Sequence, residues 1–203
     1  MGKIKKGSYW LVIFWMLFLT GCGSTELEER CFPMLVSVGY EEGKVTYDAG
    51  FPKEYMVMQP NARGVDFEES KKKFENRLNK ETDYNHLKVL VFEDDFLGRA
   101  TTYKSMLDYL AETESFPRNT YVCVVDDAED LFEIENQVDQ DLGTYLEEYL
   151  KKHEEKKDKL LTLGDLIDEK ENIDFVSYLP YLEVEDNYIE WRGYMNTSGK
   201  SWK

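Results

Sequence analysis

The sequence predicts an α+β (mixed α/β) domain, with helices packed on one mixed β-sheet. Three observations carry that expectation. Two continuously apolar runs, Val89–Phe92 and "TYVCVV" (120–125), flank a helical repeat and read as neighbouring parallel strands of a βαβ unit. The opening "CFPMLVSVGY", "EEGK", "VTYDAGF" reads as strand, turn and strand of an antiparallel meander. "SYLPYLEVED" and "YIEWRGYM", joined at Asp186-Asn187, read as a terminal hairpin.

The elements follow in chain order. Residues 31–40 form the first strand and "VTYDAGF" its hairpin partner, with "EYMVMQP" (54–60) a third strand ended by Pro60. Asp66 with Glu69 resembles a capping box, and Phe67, Phe74 and Leu78 then share one helical face. Glu68 and Glu69 lie one turn before Lys71 to Lys73, as on a solvated amphipathic helix. After the strand at 88–92, Tyr103, Met106, Leu107, Leu110 and Ala111 keep helical spacing until "FPRN" breaks it. The second buried strand (120–125) leads into a short helix, "AEDLFEIEN". A long helix is expected over 139–158, with Leu142, Tyr145, Leu146, Tyr149, Leu150 and His153 on one stripe. Its Tyr145/Tyr149 face reads as core rather than as a docking surface, because the sheet needs a cover. Thr162 and Asp165 mark a small capped turn within 162–170.

The N-terminus has a different character. Lys3, Lys5 and Lys6 precede a wholly apolar or aromatic run from Tyr9 to Leu19, and Leu19-Thr20-Gly21-Cys22 follows. A spanning helix needs roughly 20 apolar residues, and this run is well short of that. A basic start, short apolar middle and small residues before a cut describe an export signal. The ending looks like a lipobox, in which Cys22 is acylated and residues 1–21 are removed. A buried helix or an uncleaved signal anchor fits the flanks and the length less well. The expected organisation is a signal peptide at 1–21, a lipidated tether at 22–30, the folded domain at 31–196 and a tail at 197–203.

Composition narrows the classes. The formal charge is −16 over 203 residues, and loss of the three leader lysines takes it to −19. Such a surface repels phosphate backbones and anionic headgroups, so nucleic acid is excluded as a partner. Aromatics at 14% and apolar residues at 42% allow a sizeable core and disfavour disorder. Cys31 and Cys123 each sit in a strand-like run, and two small buried thiols are preferred to a disulfide.

Little catalytic chemistry is visible. His86 precedes a strand and His153 ends a helix stripe; metalloprotease, Cys-x-x-Cys, nucleophile-elbow and phosphate-loop motifs are absent from the sequence. One arrangement stands out: Glu93-Asp94-Asp95 follows the first parallel strand, and Asp126-Asp127 the second. Both groups fall at the carboxyl edge of the sheet, where open α/β sheets bind ligands. Paired carboxylates can hold a cation or do acid–base work. Asp at a strand-to-helix junction is also the usual helix cap, and capping with solvation is the preferred reading. No enzyme is expected.

Several of these segments resemble one family. The lipobox, then "ELEER" running into "FPMLVSVGYEEGKV", is similar to the opening of the GerAC, or Ger(x)C, family of spore germination lipoproteins. "HLKVLVFEDDFLGRATTYKSMLDYLAETESFPRNTYVCVVDDAEDLF" resembles its strand–helix–strand, and "TLGDLID" with "LPYLEVEDNYIEWRGYM" its short helix and the hairpin closing its N-terminal domain. The resemblance implies a mixed α/β N-terminal domain of a germinant receptor C subunit, lipid-anchored on the outer face of the spore inner membrane. It implies integral membrane A and B type subunits as partners, no enzymatic activity and no cofactor. Only Cys22 carries over as a functional residue. Family members usually have a bulky aromatic soon after that cysteine, where this chain has Gly23-Ser24. They also continue into further C-terminal domains, whereas this sequence stops at "RGYMNTSGKSWK", as expected of a shortened reading frame or a divergent short form. The competing class is a solute-binding or generic envelope lipoprotein with a ligand site at the acidic edge, and an envelope hydrolase comes third.

Overall fold

A computed structural model describes residues 29–53, 61–154, 160–170, 177–185, 188–197 and 201–202. The chain divides into the units Met1–Arg30 and Cys31–Lys203, and the architecture described is that of the second. Its centre is an eight-stranded mixed sheet of order β10-β9-β8-β7-β6-β2-β3-β4. The strands are β2 (Leu35–Glu41), β3 (Lys44–Gly50), β4 (Ala62–Gly64), β6 (Val89–Glu93), β7 (Tyr121–Val125), β8 (Tyr178–Glu185), β9 (Tyr188–Asn196) and β10 (Ser201–Trp202). Four neighbours, β2, β6, β7 and β8, run parallel; β3 and β4 continue one side and β9 and β10 the other, all antiparallel. The expected mixed sheet, parallel β6–β7 pair and hairpin are all present.

The parallel strands are apolar throughout because both faces are covered. Val36, Val38, Leu90, Phe92, Val122 and Val124 point to one face, Leu35, Val89, Val91, Cys123 and Val125 to the other. Helices α1 (Phe67–Glu75), α2 (Asp94–Leu97), α3 (Ala100–Thr113) and α6 (Leu163–Glu169) cover the first face; α4 (Ala128–Glu133) and α5 (Leu142–Glu154) cover the second. The result is a helix–sheet–helix sandwich.

Several boundaries differ from the sequence reading. The strand expected over 31–40 divides: Cys31 ends β1 (Arg30–Cys31), which pairs with β5 (Glu81–Thr82), and the chain enters the main sheet at Leu35. Pro33, which has no N–H to give a ladder, lies in the break. The β2–β3 turn places Glu42 (φ 50°) and Gly43 (φ 81°) in the left-handed region, as a two-residue hairpin turn requires. The strand expected at 54–60 lies outside the described residues. The third antiparallel strand they show is β4, against β3. α5 begins at Leu142 rather than 139, because Asp141 accepts the Thr144 N–H (2.8 Å) and so caps the helix. Residues 155–159, in the expected last turn of that helix, lie outside the described residues, as do Asp186 and Asn187.

The expected caps are more accurate. Asp66 accepts the Glu69 N–H (2.8 Å), while the Glu69 carboxylate accepts from Val65 N (2.6 Å), one residue before the cap. Thr162 and Asp165 form a full reciprocal capping box. Along the long helix, Leu142, Leu146 and Leu150 are fully buried, with Tyr145 and Tyr149 only half-buried at the flank. The leucines form the centre of the core stripe, and Tyr145 and Tyr149 pack against the same cluster at its flank, so this face covers the sheet as expected. Cys31 and Cys123 are both free, buried thiols.

One polar chain crosses the first core layer. The Tyr47 hydroxyl donates to Tyr84 Oη (3.0 Å), and Tyr84 donates to Glu75 Oε1 (3.1 Å), which also takes Lys71 Nζ (2.6 Å). Tyr84→Phe leaves the fully buried Tyr47 hydroxyl without its acceptor, so unfolding free energy should fall by about 1–3 kcal/mol. Urea titration checks this, and an unchanged midpoint would show the chain to contribute nothing.

Candidate functional site

Parallel strands β2, β6, β7 and β8 all end on one edge of the sheet. There the structure opens a cleft of about 960 Å³, walled by residues of β2 to β4, the β6 and β7 ends and α4. All the edge acids singled out in the sequence line it, so the topology brings Glu93, Asp94, Asp95, Asp126 and Asp127 together. Ten of its described lining residues are acidic and Arg63 is the one basic residue among them, so charge in the cleft is poorly neutralised.

Several of these acids already have a protein partner. Asp127 caps α4 by accepting Glu129 N–H (2.7 Å). Asp95 accepts the Tyr40 N–H from β2 (3.2 Å), and burial raises its carboxyl above the usual carboxylate range. Asp126 accepts the Tyr181 hydroxyl of β8. Asp94 opens the first turn of α2, and burial, then the charge of Asp126, raise its carboxyl as well. Caps and backbone acceptors are what such positions supply when they tie helices to strand ends.

One acid at the site, Asp48, escaped the sequence reading, and Glu93 was read there only as one of the edge acids. Glu93, the last residue of β6, is pushed up to about 7 by burial first, and its Oε1 accepts the Ala128 N–H at the start of α4 (3.2 Å). Asp48 of β3 is likewise raised to about 7, chiefly by burial, against the attraction of Arg63. A signal for Glu93 was present: an isolated glycine inside a strand marks close approach, and Gly39 sits in mid-β2. A methyl on Gly39 would lie 1.6 Å from Glu93 Oε2 and 2.6 Å from Thr46 Oγ1. The glycine therefore makes the seat for the Glu93 carboxyl.

The other candidates stand apart from this edge. His86 meets the Phe32 ring edge-on (5.1 Å), and His153 stacks on Trp191 (5.2 Å) while bonding the Tyr149 carbonyl through Nδ1 (2.8 Å). Burial pushes both the Cys31 and Cys123 thiols up, away from the reactive thiolate. Among the described residues, no group of three or more His, Cys, Asp or Glu side chains could hold a metal ion. Cys22 lies outside the described residues.

Fold and edge together define an α/β sandwich with an acidic cleft at the carboxyl ends of its parallel strands. Residues 23–184 match the spore germination protein N-terminal domain family, and the chain belongs to that family. No curated protein and no solved structure matches the chain significantly. The match supports a role in spore germination, and its span runs from the residue after Cys22 into β8. No helix among the described residues is long and apolar enough to cross a membrane.

Proposed function

We propose that this chain serves germination as the membrane-tethered, non-catalytic C subunit of a germinant receptor. Acylated Cys22 holds it to the outer face of the spore inner membrane, beside integral membrane subunits of A and B type. The observation that carries this reading is the family match, which begins at Gly23, directly after the lipobox cysteine. An acyl anchor contributes about 0.8 kcal/mol per buried methylene, so two or more chains hold stably without a basic patch. Such tethering confines the domain near the bilayer, and high effective concentration lets a weak contact with membrane subunits persist. The −19 charge of the processed chain suits basic loops on those partners, with association weakened by salt.

The test uses two strains, one with the gene deleted and one carrying Cys22→Ala. Both should germinate more slowly on at least one nutrient while growing normally. In the second strain the protein should leave the membrane fraction or persist as an uncleaved precursor. Unmodified Cys22 in the mature native protein, or normal germination on every nutrient without a second copy to compensate, overturns the proposal. A second reading, a solute-binding envelope lipoprotein, draws on the cleft of about 960 Å³. A permease and an ATPase encoded beside the gene would favour it, and membrane receptor subunits there would favour germination.

A further inference from the structure

We propose that Glu93 is a protonation latch: its neutral carboxyl, seated over Gly39, clamps the start of α4 to the sheet, and ionisation releases the clamp. The seat is built by four elements. β6 presents Glu93, β2 supplies the space at Gly39 with Thr46 of β3 in the same cradle, and α4 gives the Ala128 N–H to Oε1 (3.2 Å). α4 in turn places Leu131 and Phe132 on the second face of the sheet, so the clamp holds both a wall of the cleft and part of that core layer.

Three carboxylates act on Glu93: Asp95 on α2, Asp127 at the cap of α4 and Asp48 on β3. Asp48 itself is faced by Arg63 and Arg77 and by Glu129 of α4. Burial and these three acids oppose ionisation of Glu93, and the Ala128 N–H, which favours the charged form, is outweighed. The sign follows from linkage. Seated Glu93 titrates at about 7 and a freed one near the ordinary 4.5. The clamp is thus fully stable below the lower value, weakens as pH rises towards the upper one and changes little beyond it. Opening should grow about tenfold per pH unit between roughly pH 5 and 7, then level off. The latch is a property of the fold and does not depend on the receptor reading.

Hydrogen exchange at the Ala128 amide reads the clamp directly, using the full chain in detergent micelles across pH 5 to 8.5 (about two units below and one and a half above the turning point). With the intrinsic base-catalysed rate divided out, protection at Ala128 should fall by about two orders of magnitude between pH 5 and 7 and then flatten. Amides of α5, on Leu146 and Leu150, should not follow. Glu93→Gln, which keeps a carbonyl acceptor but cannot ionise, should hold Ala128 protected throughout. Asp48→Asn, which removes a neighbouring carboxyl that loses its proton in the same range, should move the midpoint to lower pH. Protection that is flat with pH in the native chain, or a Glu93→Gln chain that follows the native curve, overturns the latch. The first result needs no variant, so the proposal stays testable even if a substitution fails to fold.

Discussion

Leu146→Ala should lower the unfolding free energy by about 2–5 kcal/mol, the range for removing a large aliphatic side chain from a core that cannot fully collapse. Leu146 is fully buried at the centre of α5, between Leu142 and Leu150 one turn away on either side. It belongs to the cluster that includes Leu35, Val89, Val91, Cys123, Val125 and Leu182, contributed by all four parallel strands. Deleting its branched end therefore opens space beneath the whole parallel centre of the sheet. Urea unfolding should show a lower midpoint with an unchanged slope. Tyr145→Ala and Tyr149→Ala should cost less, because both rings are only half-buried. A loss below about 0.5 kcal/mol for Leu146→Ala, typical of surface changes, would mean that α5 does not cover the sheet.

Gly39→Ala should destabilise by about 1–3 kcal/mol or more, as overpacking does. The cause is space and not backbone freedom, since Gly39 is not among the residues with positive φ. Its added methyl would fall 1.6 Å from Glu93 Oε2 and 2.3 Å from Glu93 Cδ, so the carboxyl must leave its seat. Leaving breaks its bond with Ala128 N. A second substitution, Glu93→Ala, removes the group that the methyl strikes. The double variant should regain stability relative to the sum of the singles, with a coupling of about 0.5–3 kcal/mol in a double-mutant cycle. Simple additivity would show that Gly39 and Glu93 do not share the seat.

Much of this fold was legible because its signals are local. Val89–Phe92 reads as a strand because covering both faces demands an unbroken apolar run. α3 and α5 announce themselves through 3.6-residue periodicity, and Asp66, Asp127 and Thr162 fall at helix starts whose N–H groups need an acceptor. The edge acids could be placed together because successive parallel strands must end on the same side. Membership of the germination family was legible for a related reason: the order of elements is carried along the whole matched span, 23–184.

Other features arise only when distant segments meet. Nothing near Leu35 says that β2 will lie parallel to β6, some fifty residues on, or that β8 will join the far side of β7. Those pairings join strand edges across long intervening segments, which no local pattern encodes. The split at Phe32–Met34 follows from Cys31 pairing with β5, again a partner fifty residues away. Likewise Glu93 is an ordinary glutamate in the sequence. Only the sheet brings the space at Gly39, the N–H of Ala128 and the charge of Asp48 around it. Periodicity and capping are determined within a turn or two of the chain, so the sequence by itself determined the elements. Strand order, the seat of Glu93 and its raised affinity for a proton were decided by tertiary structure, because burial and the approach of like charges exist only after the strands assemble.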